Sequence, residues 1–420
     1  KWPINNAVRC RAMTVLARSD DRPGPRSLSL VLVDKDEADP ATIGYEPKVS
    51  SHGLRGANLA GIRFEGSVVG ADAVVGPEGH GLEIVLKSLQ LTRPFTTGLS
   101  MGAVDRALQT ALDAASVPDG ARGRLLDEPV ARRALGIAVA DALLVECLML
   151  VGVRSAHAFP GEMALVSALV KFLGPDTADL LFRDLTRLLG ARALVVGTED
   201  GGALHPSVFG AFQKAARDSR VVGIFDGNSV VNLNMIVNEL PTQLRPAAAP
   251  SLDEVLAPLR ADAPHEAIDT TGLRLVTRHG SRLLRSLPVL VDAVDDGRTS
   301  RAAVDAARLI GDEYTALRRE AEDMPRQSQP DPLAFHLAER FALVFGGACA
   351  LAVHLARRRA IPGPLGESGV WLAAGLQGGA NRLGRGPVEG PVADALLDAA
   401  VRVHETGGVV TLLGSWTERS

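Results

Sequence analysis

The stretch RDSRVVGIFDGNSVVNLNMIVNEL, residues 217–240, contains a carboxylate in a setting that suits chemistry, Asp226. Val221, Val222, Ile224 and Phe225 lie just before it. Apolar neighbours of that kind desolvate a carboxylate and make it a useful general base. The same Asp-Gly-Asn-Ser is also turn and cap chemistry: Asn228 or Ser229 can accept hydrogen bonds from the first N–H groups of a helix running from Val230 onward. On these residues alone both readings stand.

The elements that must position Asp226 follow from hydrophobic period. Residues 1–81 read as a small β domain: RSLSLVLVD and GIRFEGSVVGADAVVG carry short β-branched runs broken by glycine. From residue 82 the period lengthens to that of a helix, and Pro94 marks a kink or a junction. Further helical patterns at 130–159, 161–173, 177–190 and 230–240 predict a helical bundle over 82–242. PTQLRPAAAPSLDE (241–254) contains a linker at 243–254, and 255–420 reads as an additional helical domain interrupted by DDGRT and DMPRQSQPDP. The fold class expected is mainly α with a small β domain. GLQGGANRLGRGP, from Gly375, has no preceding strand and no terminal Gly-Lys-Ser/Thr, so it reads as a flexible loop rather than a phosphate loop.

Composition limits the functional classes. The chain has 420 residues, 46% of them hydrophobic and 22% charged, with a net charge of −4. That balance offers no basic field for nucleic acid. The nine histidines lack metal-ligand spacing, so no metal is expected. Cys10, Cys147 and Cys349 are far apart and odd in number, which fits a reducing cytoplasm rather than a disulfide framework. The apolar run FALVFGGACALAVHLA reads as a buried helix. KWPINNAVRC carries neither Met nor a signal-like segment, and the chain is expected to begin in mid-domain.

KWPINNA, GLRGANLAGIRFEGSVV, VVGPEGHGLEIVLKSLQLTRPFTTGLSMGAVDRAL, LLGARAL and RDSRVVGIFDGN occur in the order seen in the acyl-CoA dehydrogenase family, which residues 1–242 resemble. The resemblance implies a middle β domain followed by a four-helix bundle, with FAD held between them and across a subunit contact. It implies an acyl thioester substrate, a homo- or hetero-oligomer (dimer or tetramer), and an electron-transfer flavoprotein as acceptor. IFDGN corresponds to the segment that carries the family's catalytic glutamate. Asp226 would then be the base that removes the α-proton while a β-hydride passes to the flavin. Its N–H would be one of the donors to the developing enolate oxygen. Gly227 matches the family's glycine and Asn228 a flavin-contacting threonine. Thr92 and Arg93, in QLTRP, match the substrate-cleft positions on the long helix; a bundle ion pair is the other reading of Arg93.

In KWPINNA, Pro3 matches a flavin-packing tryptophan and Asn5 a threonine, with Trp2 displaced by one residue. Strand alternation would turn that indole to the opposite face. In DGARG, Asp119 and Arg122 stand where the family has arginine and phenylalanine. In RLLGA, Arg187 stands where the family has glutamine, Gly190 matches its first glycine, and Ala191 replaces its second. Either arginine could meet a pyrophosphate. Two other readings follow: a catalytically degenerate subunit of a heteromeric complex, and a nitroalkane oxidase. Nitroalkane oxidases use Asp as base, but the arginine they carry seven residues beyond it is Leu233 here.

Overall fold

The computed structural model describes residues 1–118, 123–196, 210–245, 247–264, 267–322, 332–361, 365–366 and 369–413. Asp119, Arg122 and most of DMPRQSQPDP lie outside them. The chain divides into two compact units, 1–90 and 91–420.

The first unit is built on three antiparallel pairs. β2 (Ala12–Arg18) and β3 (Leu28–Asp34) pair along their whole length, with Ala12 opposite Asp34 and Arg18 opposite Leu28. β1 (Ile4–Asn5) pairs with β5 (Leu59–Ala60), and β4 (Ile43–Tyr45) with β6 (Ile62–Phe64). Leu30, Val33, Ala60 and Ile62 are buried beneath them. Leucine and β-branched residues suit such a pleated, half-covered surface. β1 begins only at Ile4, so strand alternation does not govern the direction of Trp2.

α1 (Gly81–Ser116) runs unbroken through Pro94. The proline ring lies against α2 (Pro129–Ala158), where a Cβ on Gly152 would come within 3.0 Å of it. Glycine at 152 therefore makes room for the ring. α3 (Met163–Leu189) is also one helix, where the sequence reading divided it at Gly174-Pro175. Here Gly174 lies so close to α1 that an added Cβ would meet Thr97 Cγ2 at 2.5 Å. Burial on both neighbours outweighs the local proline penalty of about 3 kcal/mol. α4 (Ala211–Ser219) and α5 (Ser229–Gln243) complete the bundle.

Beyond α5 come α6 (Leu252–Leu256), α7 (Arg282–Arg285), α8 (Leu287–Val294), α9 (Arg301–Glu322), α10 (Pro332–Arg357), α11 (Val370–Arg382) and α12 (Gly390–Glu405). Their core is continuous with that of the bundle, and α2 packs on α3, α10, α11 and α12. The composition change at 243–254 thus marks a turn in the chain path and not a boundary between cores. Buried Glu146 of α2 accepts hydrogen bonds from the Thr411 hydroxyl and, at 3.0 Å, from the Leu412 amide. Arg357 of α10 donates to the carbonyls of Leu259, Leu412 and Leu413 at 3.2–3.4 Å.

The glycine-rich stretch from Gly375 is not a loop at its start. GLQGGANR forms the latter part of α11, whose Trp371, Leu372, Leu376 and Ala380 are buried. A covered apolar face outweighs the helix cost of glycine, about 1 kcal/mol each. α2 and α10 are long and apolar enough to cross a membrane, with mean hydropathies of 2.2 and 1.4. Within the fold 72% and 78% of those windows are buried, so neighbouring helices account for their apolarity.

The contact between α2 and α12 is tight at Gly136, where a Cβ would stand 2.2 Å from the Ala393 carbonyl oxygen. Gly136→Ala is expected to cost about 1–3 kcal/mol of unfolding free energy through overpacking. Chemical denaturation measures this, and an unchanged midpoint would contradict the shared core.

Candidate active site

The connection from α4 to α5 carries Asp226 and is held from below by two buried cations. After α4 the chain makes a 3₁₀ turn at Arg220–Gly223. Lys171 of α3, 1% exposed, donates to the Val222 carbonyl, and its ammonium lies 5.1 Å from the centre of the Phe225 ring. Arg93 of α1, also 1% exposed, donates Nε to the Asp226 carbonyl at 3.0 Å and Nη1 to Met235 Sδ at 3.4 Å. Arg93 is therefore neither a surface residue nor a partner in a carboxylate ion pair. It is a strut under the backbone.

Asp226 has φ +56° and Gly227 φ +98°, two left-handed residues in succession. Aspartate tolerates this region better than most residues. At Gly227 an added Cβ would also stand 3.2 Å from Arg93 Nη2. The two readings of Asp-Gly-Asn-Ser prove compatible because different residues serve them. Asn228 Oδ1 accepts from the Val231 amide at 2.9 Å and caps α5, which starts at Ser229. Buried Asn232 donates to the carbonyls of Gly227 at 2.8 Å and Asn228 at 3.0 Å. The Asp226 carboxylate is left to Thr92, whose hydroxyl donates to Oδ2 at 3.0 Å. Asp226, Gly227, Asn228, Thr92 and Arg93 are thus brought together.

The apolar side chains before Asp226 do not enclose it. Ile224 is 66% exposed and Asp226 itself half-buried. Phe95 and Leu99 follow Thr92 along α1 at helical spacing and are exposed, as are Val230 and Val231 at the start of α5. Among the described residues, no protein acceptor takes the backbone N–H of Asp226, Gly227 or Asn228. The turn therefore offers a carboxylate, unengaged amide donors and open apolar surface.

Two other expected positions of the bundle lie apart from this turn. Arg187 and Gly190 close α3, sixteen and nineteen residues beyond Lys171, or about 24–28 Å along a helix. Arg187 is exposed and 3.5 Å from Asp184, while Gly190 has φ +58° with open space at its Cβ position. Trp2, Pro3 and Asn5 belong to the first unit and are exposed. Leu233, the nitroalkane oxidase arginine position, is buried in the core, so no cation stands there. Lys171 and Asn232 were not anticipated. The signal for Lys171 was a lone lysine inside the apolar run MALVSALVKFLG.

Burial pushes the Lys171 ammonium down to about 8; Asp226 opposes the shift and Arg93 adds to it. Burial also lowers the Arg93 pKa, with Asp226 opposing. Between pH 8 and 10.5 the unfolded chain holds a proton on Lys171 that the folded protein has released, so this residue makes stability rise with pH across that window. Urea denaturation across the window should show a rise on the order of 2 kcal/mol that Lys171→Met lacks. Identical slopes in the two proteins would show that the ammonium is not desolvated.

The model for "Acyl-CoA dehydrogenase, C-terminal domain" matches residues 79–240. The chain is 27% identical over 232 residues to the probable acyl-CoA dehydrogenase FadE25 of Mycobacterium tuberculosis, covering 54% of this chain and 55% of that protein. It is 26% identical over 242 residues to the human mitochondrial short-chain specific acyl-CoA dehydrogenase, covering 56% and 54%. The chain thus spans about half the length of these relatives. A solved structure of a Bacillus anthracis acyl-CoA dehydrogenase complexed with FAD shares the fold at TM-score 0.62 and 15% identity, over 96% of this chain and 68% of that one. That similarity takes in the helices beyond residue 254 as well as the bundle. The turn, the bundle and these matches agree over residues 79–240, which match the acyl-CoA dehydrogenase C-terminal domain.

Proposed function

We propose that the chain is the base-bearing part of an FAD-dependent dehydrogenase acting on an acyl thioester. The observation that carries this reading is the Asp226 turn: a fixed carboxylate beside unengaged amides and exposed apolar surface. The acyl chain lies against Phe95, Leu99 and Val230. The Asp226 carboxylate takes the α-proton, and the electrons of that C–H bond form the Cα–Cβ double bond as hydride leaves Cβ. The Asp226 N–H donates to the thioester oxygen as negative charge develops there. The Thr92 hydroxyl fixes the carboxylate's direction, and Arg93 and Lys171 fix the backbone that carries it.

FAD, when bound, supplies the acceptor for the β-hydride. The residues of the turn fit it: Gly227 leaves no side chain over the turn, and the neighbouring N–H groups are unengaged. Asn228 would hold the ring end, and Arg187 and Gly190 a phosphate or adenine end across a subunit contact in a dimer or tetramer. Pro3 keeps the position beside Trp2. An electron-transfer flavoprotein would then remove the electrons.

A degenerate subunit is the second reading, favoured by two buried cations beside a carboxylate one methylene shorter than glutamate. Full-length protein should carry a flavin absorbance band that an acyl thioester bleaches anaerobically. Asp226→Asn should retain the band and slow bleaching by about 10²–10⁴. A flavin-free protein, or turnover indifferent to Asp226→Asn, would sink the dehydrogenase reading.

A further inference from the structure

At the far end of α5 from Asp226, the segment 272–285 and the α2–α3 connection line an open cavity of about 360 Å³. Its lining includes Arg274, Arg278, Arg282 and Arg285 with His279, against one carboxylate, Glu162. Such a volume suits a small metabolite. The surrounding frame is hydrogen-bonded to α5. Glu239 and Gln243 of α5 accept the amides of Thr277 and Ser281 at 2.9 and 2.8 Å, pinning both ends of the short loop that bears Arg278 and His279. Gly280, at φ +72°, makes the bend between them. Glu162 does not neutralise the whole set: it is engaged by the Arg282 side chain and, at 3.0 Å, by the Arg282 amide. Arg282 also lies over Phe159 at 4.8 Å.

Arg285 donates Nη1 to the Ala248 carbonyl at 3.3 Å, and among the described residues its shielded Nε has no acceptor. Arg274 donates Nη1 to the carbonyls of Thr271 and Leu273 at 2.7 and 2.9 Å, which holds the guanidinium at the rim of the cavity. Arg278 and His279 are exposed. The acids near this cluster from outside the lining have local partners: Glu254 caps α6 with Ser251, Asp269 accepts from Thr271, and Glu239 accepts the Thr277 amide.

We propose that this cavity binds a small molecule bearing two or more phosphate groups, distinct from anything bound at Asp226. Guanidinium forks match phosphate oxygens in pairs, and converging arginines select multiply charged anions over singly charged ones. Separation supports a second site: Glu239 lies ten residues along α5 from Ser229, or roughly 15 Å.

The test is calorimetric titration of the full-length protein with inorganic pyrophosphate at low salt, alongside Arg274→Ser/Arg278→Ser. Both substituted residues are exposed, so the fold should survive, and an unchanged thermal midpoint without ligand checks this. The expected result is saturable binding weakened about tenfold or more in the double variant. Arg301→Ser/Arg308→Ser, which removes two exposed charges from α9, should leave it unchanged. No saturable binding, equal binding by the two variants, or citrate binding as tightly as pyrophosphate would overturn the proposal. So would association with phosphatidylglycerol vesicles in the absence of pyrophosphate binding, which would assign the cluster to a lipid surface.

Discussion

Two buried cations neutralised by backbone carbonyls, not by contacting carboxylates, support everything above them at the Asp226 turn. Arg93 and Lys171 come from α1 and α3 and reach the carbonyls of Asp226 and Val222. Removing a guanidinium and an ammonium from water is costly unless their donors are met. A carbonyl meets them only if the loop runs where it does. The cations thus specify the loop path, and the loop in turn allows the cations to stay buried. Close packing of α1 on α3 at Thr97 and Gly174 brings the two side chains under the same turn.

This arrangement explains how one short segment supports both turn chemistry and a carboxylate available for reaction. Capping falls to Asn228, bracing to Asn232, and direction to Thr92. Asp226 spends its backbone, not its side chain, on holding the structure. The left-handed conformation at 226 and 227 is what sends carbonyl and carboxylate to different partners.

Much of this was legible in the sequence, though unevenly. The change from strand to helix period near residue 81 and the long helices followed from apolar spacing and turn residues. Tertiary cover explains where local rules misled. Gly174-Pro175 continues α3 and GLQGGANR belongs to α11 because packed neighbours outweigh propensities of a few kcal/mol. Periodicity marks an apolar face but not its partner, so the helices after residue 254 read as a separate domain while they close over the bundle core. Lys171 and Asn232 were hidden for a similar reason. A polar residue inside an apolar run is recognised as a support only when the carbonyl it meets, 51 residues away for Lys171, is known.

The grip of Glu146 on Thr411 and Leu412 bears on how the chain matures during synthesis. α2 leaves the ribosome more than 170 residues before α10 begins, and well before α11 and α12, which with it form one core. Until they emerge, a 30-residue apolar helix has α1 and α3 to pack on but lacks the cover of α10, α11 and α12. Nascent chains in that condition are prone to aggregate and are natural clients for chaperones. The contact between residue 412 and the middle of α2 can form only after those helices have been made, so it marks the covering of that face.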